Sequence, residues 1–139
     1  MTASIHVFAA PQASTPTLSS ASIAGFTPDG GDDKDNDSQI KTTLFVDFGG
    51  GLVQTVASNN FEAHGRFPDG QSWGPIDIPV KGVFTIDDVA KLRGKIEFQP
   101  KGDDTWKFSY TLSLNFSDGR LIQKSGSNEL SDQKREIPL

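Results

Sequence analysis

Thr105-Trp-Lys-Phe-Ser-Tyr-Thr-Leu-Ser-Leu-Asn-Phe116 decides the fold. Trp106, Phe108, Tyr110, Leu112, Leu114 and Phe116 take every second position, and Lys107, Ser109, Thr111, Ser113 and Asn115 fill the gaps. A two-residue period puts the apolar side chains on one face of an extended chain, whereas a helix would scatter them around its girth. Burying each contributes roughly 1.5–3 kcal/mol before chain entropy is counted, so this strand is a principal wall of the core. Ser117-Asp-Gly-Arg120 follows, and an Asp-Gly pair between apolar runs predicts a hairpin, with 121–124 as the return strand.

Upstream, residues 39–48 alternate in the same way. Ile40, Thr42, Leu44, Val46 and Phe48 share one face, and Lys41, Thr43, Phe45 and Asp47 share the other. Gly49, Gly50 and Gly51 supply a turn, and residues 52–57 run back beside the strand. Another strand is expected over 17–26, and shorter ones over 60–65, 76–80 and 95–99. Residues 85–92 (TIDDVAKL) are the one helical connector: Thr85 can cap it, Asp87 and Asp88 occupy its first turn, and Ile86, Val89 and Leu92 form a stripe. About eight short strands separated by turns indicate an all-β chain, a single antiparallel β-sandwich over 1–139, with a small β-barrel as the alternative. Pro11, Pro16 and their Ser/Thr-rich surroundings predict an extended N-terminal arm over 1–16. Phe26-Thr-Pro-Asp-Gly, Phe67-Pro-Asp-Gly and Phe116-Ser-Asp-Gly share an aromatic followed by an Asp-Gly turn, which hairpin chemistry explains without an internal repeat.

Composition narrows the functional classes. The chain has 139 residues, no cysteine, a net charge of −5 and a mean hydropathy of −0.39. It therefore offers no disulfide scaffold and no thiolate site, and its charge argues against nucleic acid as a partner. No stretch approaches the roughly 20 apolar residues of a membrane span, and residues 1–10 lack the positive start of a secretory signal. A soluble chain is expected, with its compartment unassigned.

The negative charge is local. Residues 1–40 hold five acids against Lys34, whereas the remaining 99 hold 13 acids and 12 bases. Calcium takes six to eight hard oxygens from carboxylates and carbonyls on a chain able to curl around it, and the Asp33-x-Asp35-x-Asp37 spacing supplies alternate carboxylates. Asp33, Asp35 and Asp37 are therefore the expected ligands of a Ca2+ site, with Asp29 and Asp32 as further candidates. Asp103 and Asp104, before the long strand, are placed to complete the shell from a neighbouring turn. An EF-hand is excluded, because Ser38 stands where the loop needs glycine and Leu44 where it needs a bidentate glutamate. The competing reading is a solvated acidic loop whose Asp and Asn residues serve turn geometry.

Trp73 lies in a turn-rich stretch, Pro68 to Pro75, where an indole is either folded under the loop or presented to a sugar face. Trp106 belongs to the core by parity. His6 and His64 have no nucleophile or acid at a telling spacing, so an enzyme is not expected. The sequence thus points to a non-catalytic binding module, lectin-like, whose calcium-organised end loops recognise a carbohydrate or protein ligand. The alternative is a structural protein that forms a homo-oligomer through its N-terminal arm.

Overall fold

The computed structural model describes residues 15–30 and 32–139, so the arm expected over 1–16 lies outside the described residues except for Thr15 and Pro16. Eight strands follow in order: β1 (Leu18–Thr27), β2 (Gln39–Asp47), β3 (Val53–Ser58), β4 (Gln71–Asp77), β5 (Leu92–Gln99), β6 (Thr105–Phe116), β7 (Leu121–Ser131) and β8 (Glu136–Pro138). They form two four-stranded sheets, β4-β1-β6-β7 and β3-β2-β5-β8, with every pairing antiparallel. The sheets face one another as a β-sandwich rather than closing as a barrel.

The parity read from 105–116 holds along the whole of β6: its six apolar side chains are buried, none more than 7% exposed. They meet Ile40, Leu44 and Val46 of β2 and Ile96 and Phe98 of β5 in one core. That core is aromatic at one end. Trp106 stacks on Phe108 with ring centres 4.0 Å apart, Phe67 stacks on Trp73 at 5.2 Å, and the two indoles meet edge to face at 5.2 Å. Such contacts add about 0.5–1.5 kcal/mol per pair beyond area burial. Gly25 makes room for the Trp73 ring, because a Cβ there would meet the indole and the Ser109 carbonyl at less than contact distance.

The structure redraws several elements. The 60–65 segment is a loop with one isolated bridge, Ile40 to Glu62, and it turns through His64 and Gly65, both at positive φ. The strand expected over 76–80 begins earlier, as β4, and puts Trp73 in a sheet. β7 runs on to Ser131, well past 124, and β8 is an additional strand. Both were hidden because 125–129 carry no alternating apolar residue and β8 is three residues long. Phe48 leaves the buried face of its run, because β2 ends at Asp47 and the chain turns outward. The connector is a 3₁₀ turn, Ile86–Lys91, that Thr85 does not cap through its side chain, and Leu92 already belongs to β5. Among the described residues no helix is long and apolar enough to cross a membrane.

Candidate functional site

Two poles follow from the strand directions. β1, β3, β5 and β7 alternate in direction with their partners, so loops 28–38, 59–70 and 100–104 meet at one end of the sandwich. The 48–52 hairpin, the 3₁₀ turn and the 117–120 turn meet at the other.

At the first pole the acidic loop is built around a lysine. Lys34 is completely buried; its Nζ donates to the carbonyls of Asp35 (2.9 Å) and Gly65 (2.7 Å) and lies 4.7 Å from the centre of the Phe67 ring. Its main chain forms a two-way bridge with Phe67. Burial lowers the Lys34 ammonium to a pKa of about 8, against the opposing pull of Asp104, Asp35 and Asp37. Asp104, also buried, accepts from Ser38 Oγ (2.6 Å) and from the Asp35 main-chain N–H (3.1 Å), tying loop 28–38 to loop 100–104. Charge-assisted bonds of this kind contribute about 1.5–3 kcal/mol each.

The remaining acids are distributed as follows. Asp32, Asp33, Asp35, Asp103 and Asp104 line one open concavity of about 390 Å³ with Lys101 and Thr105. The structure therefore brings 103–104 beside 32–35, whereas Asp37 and Asp29 are not part of that lining, and Asp29 lies against Gly70. Asp33 receives both Nε and a terminal nitrogen of Arg66 at 2.6 Å, and Asp32 faces Lys107 at 3.8 Å. The Asp35 carboxyl is held above the usual range by partial desolvation and by its neighbours Asp104, Asp33 and Asp37. Among the described residues no three carboxylates or imidazoles are grouped to hold a metal ion. Sequence reasoning asked which external cation balances the loop, and Lys34, Arg66 and Lys107 do much of that balancing from within.

Trp73 is 4% exposed and its indole is packed between Phe67 and Trp106, so it offers no face on which a sugar could stack. That corrects its expected place on a ligand-binding loop, and the reason is the aromatic core, which gains more from a buried indole than an exposed loop would. Its Nε1 is buried with no partner among the described residues. His64 lines a separate concavity with Glu62, Asp77 and Lys81, its Nδ1 3.9 Å from Glu62. Glu62 and His64 are brought together by the turn at His64 and Gly65, both at positive φ, which no strand period in the sequence would have revealed. Burial lowers the imidazole from its ordinary value, which favours the neutral ring.

The second pole mixes charged turns, with Asp87, Asp88, Lys91, Asp118 and Arg120, and exposed apolar side chains. Phe48 (54% exposed), Leu52 (66%), Val53 (52%), Val83 (75%) and Leu121 (53%) all lie there. Their common position follows from the pairings Asp47 with Val53, Val46 with Leu92, Thr17 with Thr85 and Leu18 with Phe116.

From this pole β7 runs along the border of its sheet. β7 pairs only with β6 among the described strands, and every residue of it except Leu130 is exposed or half-buried. Phe116 N–H on the Arg120 carbonyl closes the hairpin, so even-numbered β7 residues bond to β6 and odd-numbered ones turn their N–H and C=O outward. Leu121, Gln123, Ser125 and Ser127 thus present outward main-chain groups, whereas further along the Glu129 N–H is taken by its neighbour Asn128 Oδ1 at 2.9 Å and the Ser131 N–H by the Lys134 carbonyl. The sequence matches no protein-family model, no curated protein and no solved structure.

Proposed function

We propose that the chain is a non-catalytic assembly module that associates with copies of itself. The observation that supports this reading is the long border of β7, which pairs with no second strand among the described residues and starts at the pole where Phe48, Leu52, Val53, Val83 and Leu121 are exposed. An open edge of this length is a template for another strand, and natural proteins otherwise shorten, cover or bulge such edges. Sedimentation equilibrium of the full chain from about 1 to 200 μM tests it, a span bracketing ordinary self-association strengths. A mass that rises to a multiple of 15.0 kDa is expected. A folded monomer throughout that range rejects the reading.

A second reading keeps the acidic pole as a binding surface for a cationic ligand, with Ca2+ as its simplest candidate. Its support is the convergence of Asp32, Asp33 and Asp35 with Asp103 and Asp104 on one concavity. Asp35, whose carboxyl is already held above its usual range, would release protons on binding, so affinity should rise with pH. A melt with and without millimolar calcium, repeated on Asp35→Asn, checks it: stabilisation in the parent chain and not in the variant is the expected pattern. Equal melting temperatures with and without the ion discard calcium.

A further inference from the structure

Resting on the assembly reading, we infer that the contact is β7 against β7 of a second copy, antiparallel and centred on Gly126. Two-fold symmetry requires that residue i of one strand face residue j of the other and the reverse. Opposed residues in a continuous sheet point to the same face, so i and j share parity. The outward main-chain groups belong to the odd-numbered residues, which therefore form the hydrogen-bonded pairs.

Within those constraints the register centred on Gly126 is self-complementary. It sets Ser125 against Ser127 and Gln123 against Glu129 on the outer face, each pair occurring twice. Ser125 Oγ already bonds Thr111 Oγ1 and Gln123 Nε2 already donates to Ser113 Oγ, which leaves the Ser127 hydroxyl and the second Gln123 amide N–H to reach across. The Asn128 side chain must release the Glu129 N–H for that pair to close. On the inner face it sets Ile122 against Leu130 and Lys124 against Asn128, so apolar meets apolar and no like charges are opposed. At its centre two glycines meet. Gly126 is where a Cβ would lie 2.8 Å from the Tyr110 hydroxyl, so the bare backbone there makes room for the tyrosine beneath it. Shifting the centre by one residue either way loses the match: around Ser125, Gly126 faces Lys124 and Ile122 faces Asn128. Around Ser127, Lys124 faces Leu130. Lys124 does not obstruct the edge, since its Nζ is drawn away to the Leu139 carbonyl at 2.9 Å.

The absence of cysteine makes the register directly testable. Full-length Ser125→Cys and Ser127→Cys chains, mixed and treated with a short thiol-reactive bifunctional linker, are expected to couple to one another faster than either couples to itself. Ser127→Pro removes an outward N–H that makes no bond to β6, so the fold should persist while self-association weakens roughly tenfold or more. A dimer that ignores Ser127→Pro, or self-coupling of either cysteine chain faster than mixed coupling, overturns this register and leaves the assembly reading standing. A chain that is monomeric throughout removes both. Should Ser127→Pro fail to fold, the coupling pattern alone decides.

Discussion

Lys34 makes a prediction that few buried residues allow, because its ammonium is fully enclosed and titrates near pH 8 instead of its ordinary 10.5. A base whose folded pKa lies below its unfolded one binds fewer protons when folded, so stability must rise with pH between the two values. At neutral pH the ammonium costs the folded state about 3 kcal/mol, from roughly 1.4 kcal/mol for each unit of displacement. Some 2 kcal/mol of that returns between pH 8 and 10. Two groups pull the other way at higher pH: the Tyr110 phenol is raised by burial and Lys95 by its bond to Glu136, so each loses stability as the solution becomes more alkaline. Measurement is therefore confined to pH 7–10, and Lys34→Met serves as the reference, with the range kept above neutrality because Lys34 also helps to lower the His64 imidazole, which rises when the ammonium is removed. Urea unfolding at half-unit steps should give a parent-minus-variant difference that climbs by roughly 2 kcal/mol across pH 8–10. Parallel profiles would falsify the enclosed-ammonium account. A parent that loses stability relative to the variant as pH rises would mean that the acids around Lys34 outweigh its burial.

Trp106→Ala should destabilise by about 3–5 kcal/mol in urea, since it empties the centre of the aromatic core and strands the Thr27 hydroxyl that accepts from its Nε1 at 3.3 Å. Asp104→Ala should cost about 2–4 kcal/mol, because Ser38 Oγ and Asp35 N–H both lose their acceptor, and the exchange rates of loop 28–38 amides should rise with it. Arg66→Ala, which cuts a short but solvent-exposed pair with Asp33, should leave the urea midpoint within error of the parent's, and a clear drop would show the pair to be part of the loop's framework. Gly25→Ala should lower stability by about 1–3 kcal/mol, and Trp73→Phe should relieve part of that loss in the double variant, read by melting all four chains of the cycle.

The most regular stretches were the most legible. β6 emerged with its ends and its buried face because six apolar residues alternate without a break, and β2 did so for the same reason up to the point where Phe48 turns outward. The three Asp-Gly turns were plain as turns, since Gly30, Gly70 and Gly119 all adopt the positive φ that favours glycine, but only Asp118-Gly119 closes a hairpin, the other two lying on loops that cross between the sheets. What escaped was carried by tertiary contacts. β7 has serines and a glycine where a strand signal would need apolar residues, and it is a strand because β6 supplies the partner. Trp73 looked like a loop residue because Pro68, Gly70, Gly74 and Pro75 surround it, yet the indole is drawn inward by Phe67 and Trp106. At the acidic pole the convergence of 103–104 with 32–35 was readable from the density of aspartates. Their internal neutralisation was not, because nothing local in a sequence says that one lysine among five acids will be enclosed beneath them.

The order of strands also governs when the molecule can finish folding. Leu18 in β1 finds its partner Phe116 only near the end of β6, and β2 depends on β5 and β5 on β8 in the same delayed fashion. Local hairpins such as β6–β7 form early, but neither sheet closes until distant parts of the chain have met, and loop-closure entropy makes such encounters slow. Refolding on the millisecond-to-second scale is the corollary. A ribosome-bound chain that has not yet released β6 holds β1 without its central neighbour, which leaves that strand's backbone open to competing partners during synthesis.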